Sequence, residues 1–225
     1  MTPAIESVFI GLFGVLKLAT VAGWWLGRRR PSRATENLNA RIYSWWVMIL
    51  VGGLAMLLGH YGVVLLFAGL SWFALREYSS SDPKGWPGVL YFAAVPAQFL
   101  LVAFGQQWAA LLLLPIAGFV YGRERWLGLL LCVYCLSFIP ALGKAESMLF
   151  FVLVVQASDV LQYVWGNLIG RHPVAPRISP SKTIEGLAGG MVSATALGVW
   201  LHALTPFEIM GALWVGLLIT FAGFL

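Results

Sequence analysis

Asp159 stands in the apolar run FFVLVVQASDVLQYVWGNLIG, where an ionisable side chain is costly against hydrocarbon and is a functional position by default. Gln156, Asp159, Tyr163 and Asn167 follow one another at spacings of 3, 4 and 4, which stacks them on one helical face. Gly166 and Gly170 add a small-x-x-x-small step that lets a neighbouring backbone approach closely. The polar face is either interhelical hydrogen-bonding glue or a carboxylate facing a hydrated cavity, able to hold a hard cation such as Mg²⁺ through oxygen and water. Directly after it comes RHPVAPRISPSKTIEG. Pro173, Pro176 and Pro180 forbid helix there and stiffen a loop. Arg171, His172, Arg177 and Lys182 converge with the hydroxyls of Ser179, Ser181 and Thr183. Thr183, with Glu185 and Gly189-Gly190, opens the next helix, whose free N–H groups favour an anion. Cations, hydroxyls and a helix N-terminus together make a phosphate or polyphosphate site. A loop that merely sets membrane orientation accounts for the arginines. It does not account for Ser179-Pro180-Ser181-Lys182-Thr183 beside Asp159.

The elements that must position these groups follow from composition. Of 225 residues, 60% are apolar and only 10% charged, with eleven Trp and a mean hydropathy of +0.85. That is more apolar surface than one soluble core can hide, and the indoles suit membrane interfaces. The expected fold class is all-α, a polytopic integral membrane protein. Apolar runs at about 7–26, 42–59, 61–75, 86–104, 107–122, 126–142, 147–170, 186–203 and 207–225 predict about nine transmembrane helices, the runs at 61–75, 107–122 and 126–142 being short enough to tilt or re-enter. Two regions are expected, an N-terminal bundle over 1–145 and a region over 146–225 that carries the phosphate loop 171–186. The net charge of +5 speaks for membrane orientation and not for nucleic acid. With the first loop cytoplasmic, that face collects Arg28, Arg29, Arg30, Arg33, Arg41, Arg76, Lys84, Arg123, Arg125, Arg171, Arg177 and Lys182, 12 of the 14 cations, which predicts an outside N-terminus. The expected location is a bacterial inner membrane with the active face cytoplasmic. Cys132 and Cys135 form a C-x-x-C inside an apolar run with no second pair nearby, and are read as buried thiols. The start, acidic before its apolar run, reads as a first membrane helix and not as a cleaved signal.

From Asp159 to Gly186 the pattern D-x-x-x-Y-x-x-G-x-x-x-G-R-H-x-x-A-P-x-I-S-P-x-K-T-x-E-G resembles the phosphatidate cytidylyltransferase (CDP-diacylglycerol synthase) family. About 28 residues carry the likeness, and the multi-span remainder is compatible with it. The resemblance implies an integral membrane nucleotidyltransferase of phospholipid biosynthesis that joins CTP to phosphatidic acid with Mg²⁺, giving CDP-diacylglycerol and pyrophosphate. It puts Asp159, Ser179, Lys182, Thr183 and Glu185 in the active-site region, with Asp159 as metal ligand. Arg171, His172, Arg177, Ser181 and Tyr163 are the candidate substrate-binding residues. The partners implied are CTP, phosphatidic acid and the bilayer, and a homodimer is left open.

The departure from the pattern is that the family's second motif, with a Lys-Asp pair, a Gly-His-Gly-Gly turn and Asp-Arg-x-x-Asp or a close variant, does not occur in these 225 residues. The chain holds only two aspartates, Asp82 and Asp159, and the expectation is a C-terminally truncated sequence that is inactive by itself. Three other readings stand beside the transferase: a CTP-dependent lipid or polyprenol kinase, an ion-coupled transporter using Asp159, and a non-catalytic membrane protein that keeps the loop as a binding element.

Overall fold

The computed structural model describes residues 3–29, 33–79, 86–106, 108–109, 114–175 and 179–224. Two compact units divide the chain, Glu6–Ala145 and Glu146–Leu225. The first holds α1 (Pro3–Arg29), α2 (Arg33–Leu57), α3 (Gly59–Tyr78), α4 (Trp86–Ala103), α5 (Leu114–Gly128) and α6 (Leu136–Ala141), the last two joined through a π-helical segment, Leu129–Cys135. The second holds α7 (Ala145–Ile169), a hairpin of β1 (Pro173–Ala175) and β2 (Ser179–Thr183), α8 (Ile184–Trp200), a short 3₁₀ turn and α9 (Ile209–Phe224). Among the described residues four helical stretches are long and apolar enough to cross a membrane: Ile5–Arg29, Thr35–Leu57, Val120–Ala141 and Ala145–Ile169.

The architecture is all-α apart from the hairpin, but the expected count of nine is not what is found. With α5, the π segment and α6 taken as one rod, there are eight helices among the described residues. Arg123-Glu124-Arg125, expected as a loop between the runs 107–122 and 126–142, lies inside α5, and only Gly122, at φ 78 and ψ 170, interrupts the helix there. Glycine carries that conformation without a Cβ clash, so two helical stretches meet there across a kink. Cys132 is half-buried and Cys135 exposed, which corrects the reading of both as buried thiols; each is free. Cys132 lies against neighbours because its carbonyl accepts from the fully buried Ser71 hydroxyl of α3.

Buried polar groups fix the first unit. Gln98 Nε2 donates to Ser137 Oγ at 2.8 Å, and Ser137 in turn donates to the Tyr134 carbonyl at 2.7 Å. Such bonds hold a π turn, whose carbonyls sit off the usual ladder, against α3 and α4. In the second unit small residues let backbones meet. A Cβ at Gly186 would lie 2.8 Å from the Gln162 carbonyl oxygen and 3.0 Å from Gly166 Cα. One at Gly190 would lie 2.9 Å from the Gln162 backbone, and one at Gly216 3.4 Å from Thr195 Cα. Gln162 then spans the unit, donating from Nε2 to Ser158 Oγ at 2.8 Å and to the Thr220 carbonyl of α9 at 3.4 Å. Trp165 Nε1 donates to Ser193 Oγ at 2.9 Å, closing the α7–α8 seam.

A candidate phosphate site at the hairpin between two helices

The stretch read as a proline-stiffened loop is a two-stranded antiparallel hairpin, with Pro173 opposite Thr183 and Ala175 opposite Ser179. Pro173 and Pro180 are tolerated because a two-stranded ribbon has two edges, so a missing N–H need not leave a carbonyl unpaired. The hairpin is clamped at its base. Ile184 N–H donates to the His172 carbonyl at 2.9 Å. Glu185 Oε2 accepts from the backbone N–H groups of Arg171 at 3.0 Å and His172 at 3.2 Å, while Oε1 meets His172 Nδ1 at 2.5 Å. Thr183 caps α8, its Oγ1 accepting from Gly186 N–H at 3.1 Å. Gly170 makes the corner possible, since a Cβ there would lie 2.7 Å from Thr183 Oγ1.

These contacts correct one expectation. The first N–H groups of α8 were to stand open to an anion, yet Ile184 and Gly186 already donate within the protein, and the Glu185 carboxylate sits in the first turn. The backbone N–H of Arg171, then the His172 side chain, hold that carboxylate ionised and lower its pKa from the ordinary 4.5 to about 2. A permanent negative charge therefore sits at the positive end of the helix. Any phosphate must be drawn by side-chain cations and by hydroxyl protons. Thr183 keeps one such proton, because capping uses only an oxygen lone pair.

Arg171, His172 and Lys182 are exposed at the hairpin base. Ser179 is placed by its backbone at the start of β2 and Ser181 in its middle. Arg177 lies outside the described residues. Asp159 and Tyr163 are exposed on α7, and the Tyr163 carbonyl accepts from Asn167 Nδ2 at 2.8 Å. Gln156 is half-buried. The face that meets α8 and α9 is a different one, through Ser158, Gln162 and Trp165. Gln162 was the residue the sequence reading missed, although its spacing of four from Ser158 in an apolar helix was a visible signal.

The described residues do not by themselves fit a resident Mg²⁺. No group of three or more His, Cys, Asp or Glu among them could hold a metal ion. Asp159 offers one carboxylate, and Glu185 is committed to the hairpin clamp.

A family model described as the Cytidylyltransferase family matches residues 39–225, a span that contains α7, the hairpin and α8. The chain belongs to the cytidylyltransferase family. Within it, the uncharacterized protein YnbB of Escherichia coli strain K12 is 30% identical over 248 residues, covering 98% of this chain and 83% of YnbB. The phosphatidate cytidylyltransferase of Staphylococcus saprophyticus is 40% identical over 73 residues, 32% of this chain and 27% of that protein. That of Mycobacterium leprae is 38% identical over 97 residues, 43% of this chain and 30% of that protein. The chain thus aligns with less than a third of either phosphatidate cytidylyltransferase. No solved structure matches it.

Proposed function

We propose that this cytidylyltransferase-family protein serves CTP:phosphatidate cytidylyl transfer, making CDP-diacylglycerol and pyrophosphate for phospholipid synthesis. The observation that carries the reading is the clamped hairpin leading into α8, which gathers Arg171, His172 and Lys182 with the Thr183 hydroxyl inside the family-matched segment. An oxygen of the lipid phosphate attacks the α-phosphorus of CTP; the new P–O bond forms as the α–β phosphoanhydride breaks and pyrophosphate leaves. Such transfer is mostly positioning and charge neutralisation. Lys182 and Arg177 neutralise triphosphate oxygens, and Ser179, Ser181 and Thr183 donate hydrogen bonds. Arg171 and His172 meet the lipid head group, with Tyr163 and Asp159 on the adjoining face of α7. Asp159 is the residue that would attract a Mg²⁺ brought in with CTP, which would neutralise triphosphate charge. Glu185 acts here by holding Arg171 and His172 at the hairpin base. The membrane is the bacterial inner membrane, with the hairpin on its cytoplasmic face and acyl chains entering sideways between helices.

That no group of three or more potential metal ligands occurs among the described residues favours a second reading for these 225 residues alone, binding of CTP and lipid without turnover. One experiment separates the possibilities: CTP labelled at the α- or γ-phosphorus, with phosphatidic acid and Mg²⁺ in detergent. It is run on this chain and on a fusion that adds the second, aspartate-bearing motif. The reading expects α-label in the lipid from the fusion and none from the chain alone. Transfer of γ-label would make the protein a kinase, and equal turnover by both proteins would refute the metal argument.

A further inference from the structure

Five arginines, Arg28, Arg29, Arg30, Arg33 and Arg41, against one acid, Glu36, give residues 28–41 a net charge of +4 (five minus one). Four of the five precede the family-matched segment 39–225, and the transfer reaction asks nothing of them. The apolar stretch of α1 ends at Arg29 and that of α2 begins at Thr35, so this charge lies where two candidate spans meet the membrane surface. The two helices are drawn together there: Asn39 Nδ2 donates to the Gly23 carbonyl at 3.3 Å, and a Cβ at Gly27 would lie 3.4 Å from the same nitrogen.

At the end of α1 the guanidinium of Arg28 lies 4.1 Å over the Trp24 ring and that of Arg29 lies 4.5 Å over the Trp25 ring. Both rings are exposed, at 56% and 48%, and both arginines are exposed beside them. Among the described residues no ion pair to a carboxylate is seen at either guanidinium. An orientation signal needs only charge, which lysine supplies as well. A guanidinium held over an indole is shielded on the ring side and keeps an N–H fork able to take a phosphate through two parallel hydrogen bonds. Indoles at interface depth hold that fork level with lipid phosphates.

We propose that the Trp24–Arg28 and Trp25–Arg29 stacks form a docking surface for anionic phospholipid head groups. The bilayer is the source of the ligand, and positive charge on α1 with negative charge on the lipid selects it over a zwitterionic one. The surface is built from residues other than those of the hairpin, so it stands whether or not the protein transfers nucleotide.

The test is native mass spectrometry of the whole chain in neutral detergent, titrated with short-chain phosphatidylglycerol and with phosphatidylcholine of the same acyl chains. Phosphatidylglycerol is expected to bind preferentially. Arg28→Gln and Arg29→Gln should each weaken it about fivefold. Arg28→Lys with Arg29→Lys keeps the charge and helix but loses the fork, and should weaken it too; this pair reads geometry even where Trp24→Leu with Trp25→Leu fails to fold. Arg123→Gln with Arg125→Gln, twice the charge loss of either single variant, should leave binding unchanged, and inorganic phosphate should not displace the lipid. Equal binding of the two lipids, full retention in the lysine pair, an equal loss in the Arg123/Arg125 pair, or displacement by inorganic phosphate would each overturn the proposal.

Discussion

Gly190→Ala adds one methyl group at the place where α8 meets the backbone of α7. The new Cβ would lie 2.9 Å from the Gln162 N and Cα and closer still to Gln162 Cγ, whereas ordinary contact begins at 3.4 Å, so the helices must part by at least about 0.5 Å (3.4 minus 2.9) to clear the backbone alone. Gln162 Cγ is the nearest obstacle and the Gln162 backbone stands behind it, so a rotamer change relieves only part of the clash. Overpacking of this kind costs about 1–3 kcal/mol, set against a gain of up to about 1 kcal/mol from replacing glycine in a helix. The Gln162 bond to the Thr220 carbonyl, already 3.4 Å long, is the first to break. Gly14→Ala in α1 is the matched control, since nothing lies within 4 Å of a Cβ there; it keeps the propensity gain without the clash. Thermal unfolding followed by fluorescence-detected size exclusion should show the Gly190 variant melting about 3–6 °C below the parent, with the Gly14 variant at or above it. Equal midpoints for the two variants would refute the close-packed seam.

Three shorter predictions follow. Thr183→Ala removes the α8 cap and should cost about 1 kcal/mol of unfolding free energy, whereas Thr183→Ser keeps the oxygen and should recover most of it; chemical denaturation of both variants checks this. Glu185 is ionised more readily in the folded protein than in the unfolded one. Its clamp is therefore fully present above pH 4.5 and is lost as pH falls from 4.5 toward 2. Protection of the Arg171 and His172 amides, measured against their intrinsic exchange rates at each pH, should fall across that window in the native protein, and Glu185→Gln should remove this fall. In the fusion transfer assay, Asp159→Asn should lower the rate by about 10²-fold or more, and an unchanged rate would return Asp159 to interhelical hydrogen bonding.

The long helices were legible because hydrophobic runs near 20 residues have one cheap solution in a bilayer. Gly166 and Gly170 also announced close approach, and both lie against the Thr183–Gly186 corner. What was not legible depended on contacts distant in sequence. Nothing local in Gly122-Arg123-Glu124-Arg125 distinguishes a loop between two spans from a kink inside one helix. The helix breaks at Gly122 alone and resumes at once, because a glycine can absorb the change of direction at a single residue. The hairpin was read as a loop because its prolines speak against helix without speaking for strand. Glu185 was assigned to chemistry by its place in the motif, yet its partners, the Arg171 and His172 N–H groups, lie 14 and 13 residues away. Asp159 was placed on the correct helical face relative to Tyr163 and Asn167, but periodicity alone does not say which face packs inward, and the glycines of α8 chose the Gln162 side.

The measurement that bears most directly on the central claim is equilibrium binding of CTP to the 225-residue protein in detergent, repeated on Lys182→Met and on Arg123→Met. Each variant loses one cation, but only Lys182 stands in the hairpin. If the hairpin receives the triphosphate, CTP binds saturably, pyrophosphate competes, Lys182→Met abolishes binding and Arg123→Met leaves it intact. Absence of saturable binding, or an equal loss in both variants, would contradict the account and leave the hairpin as a positively charged turn.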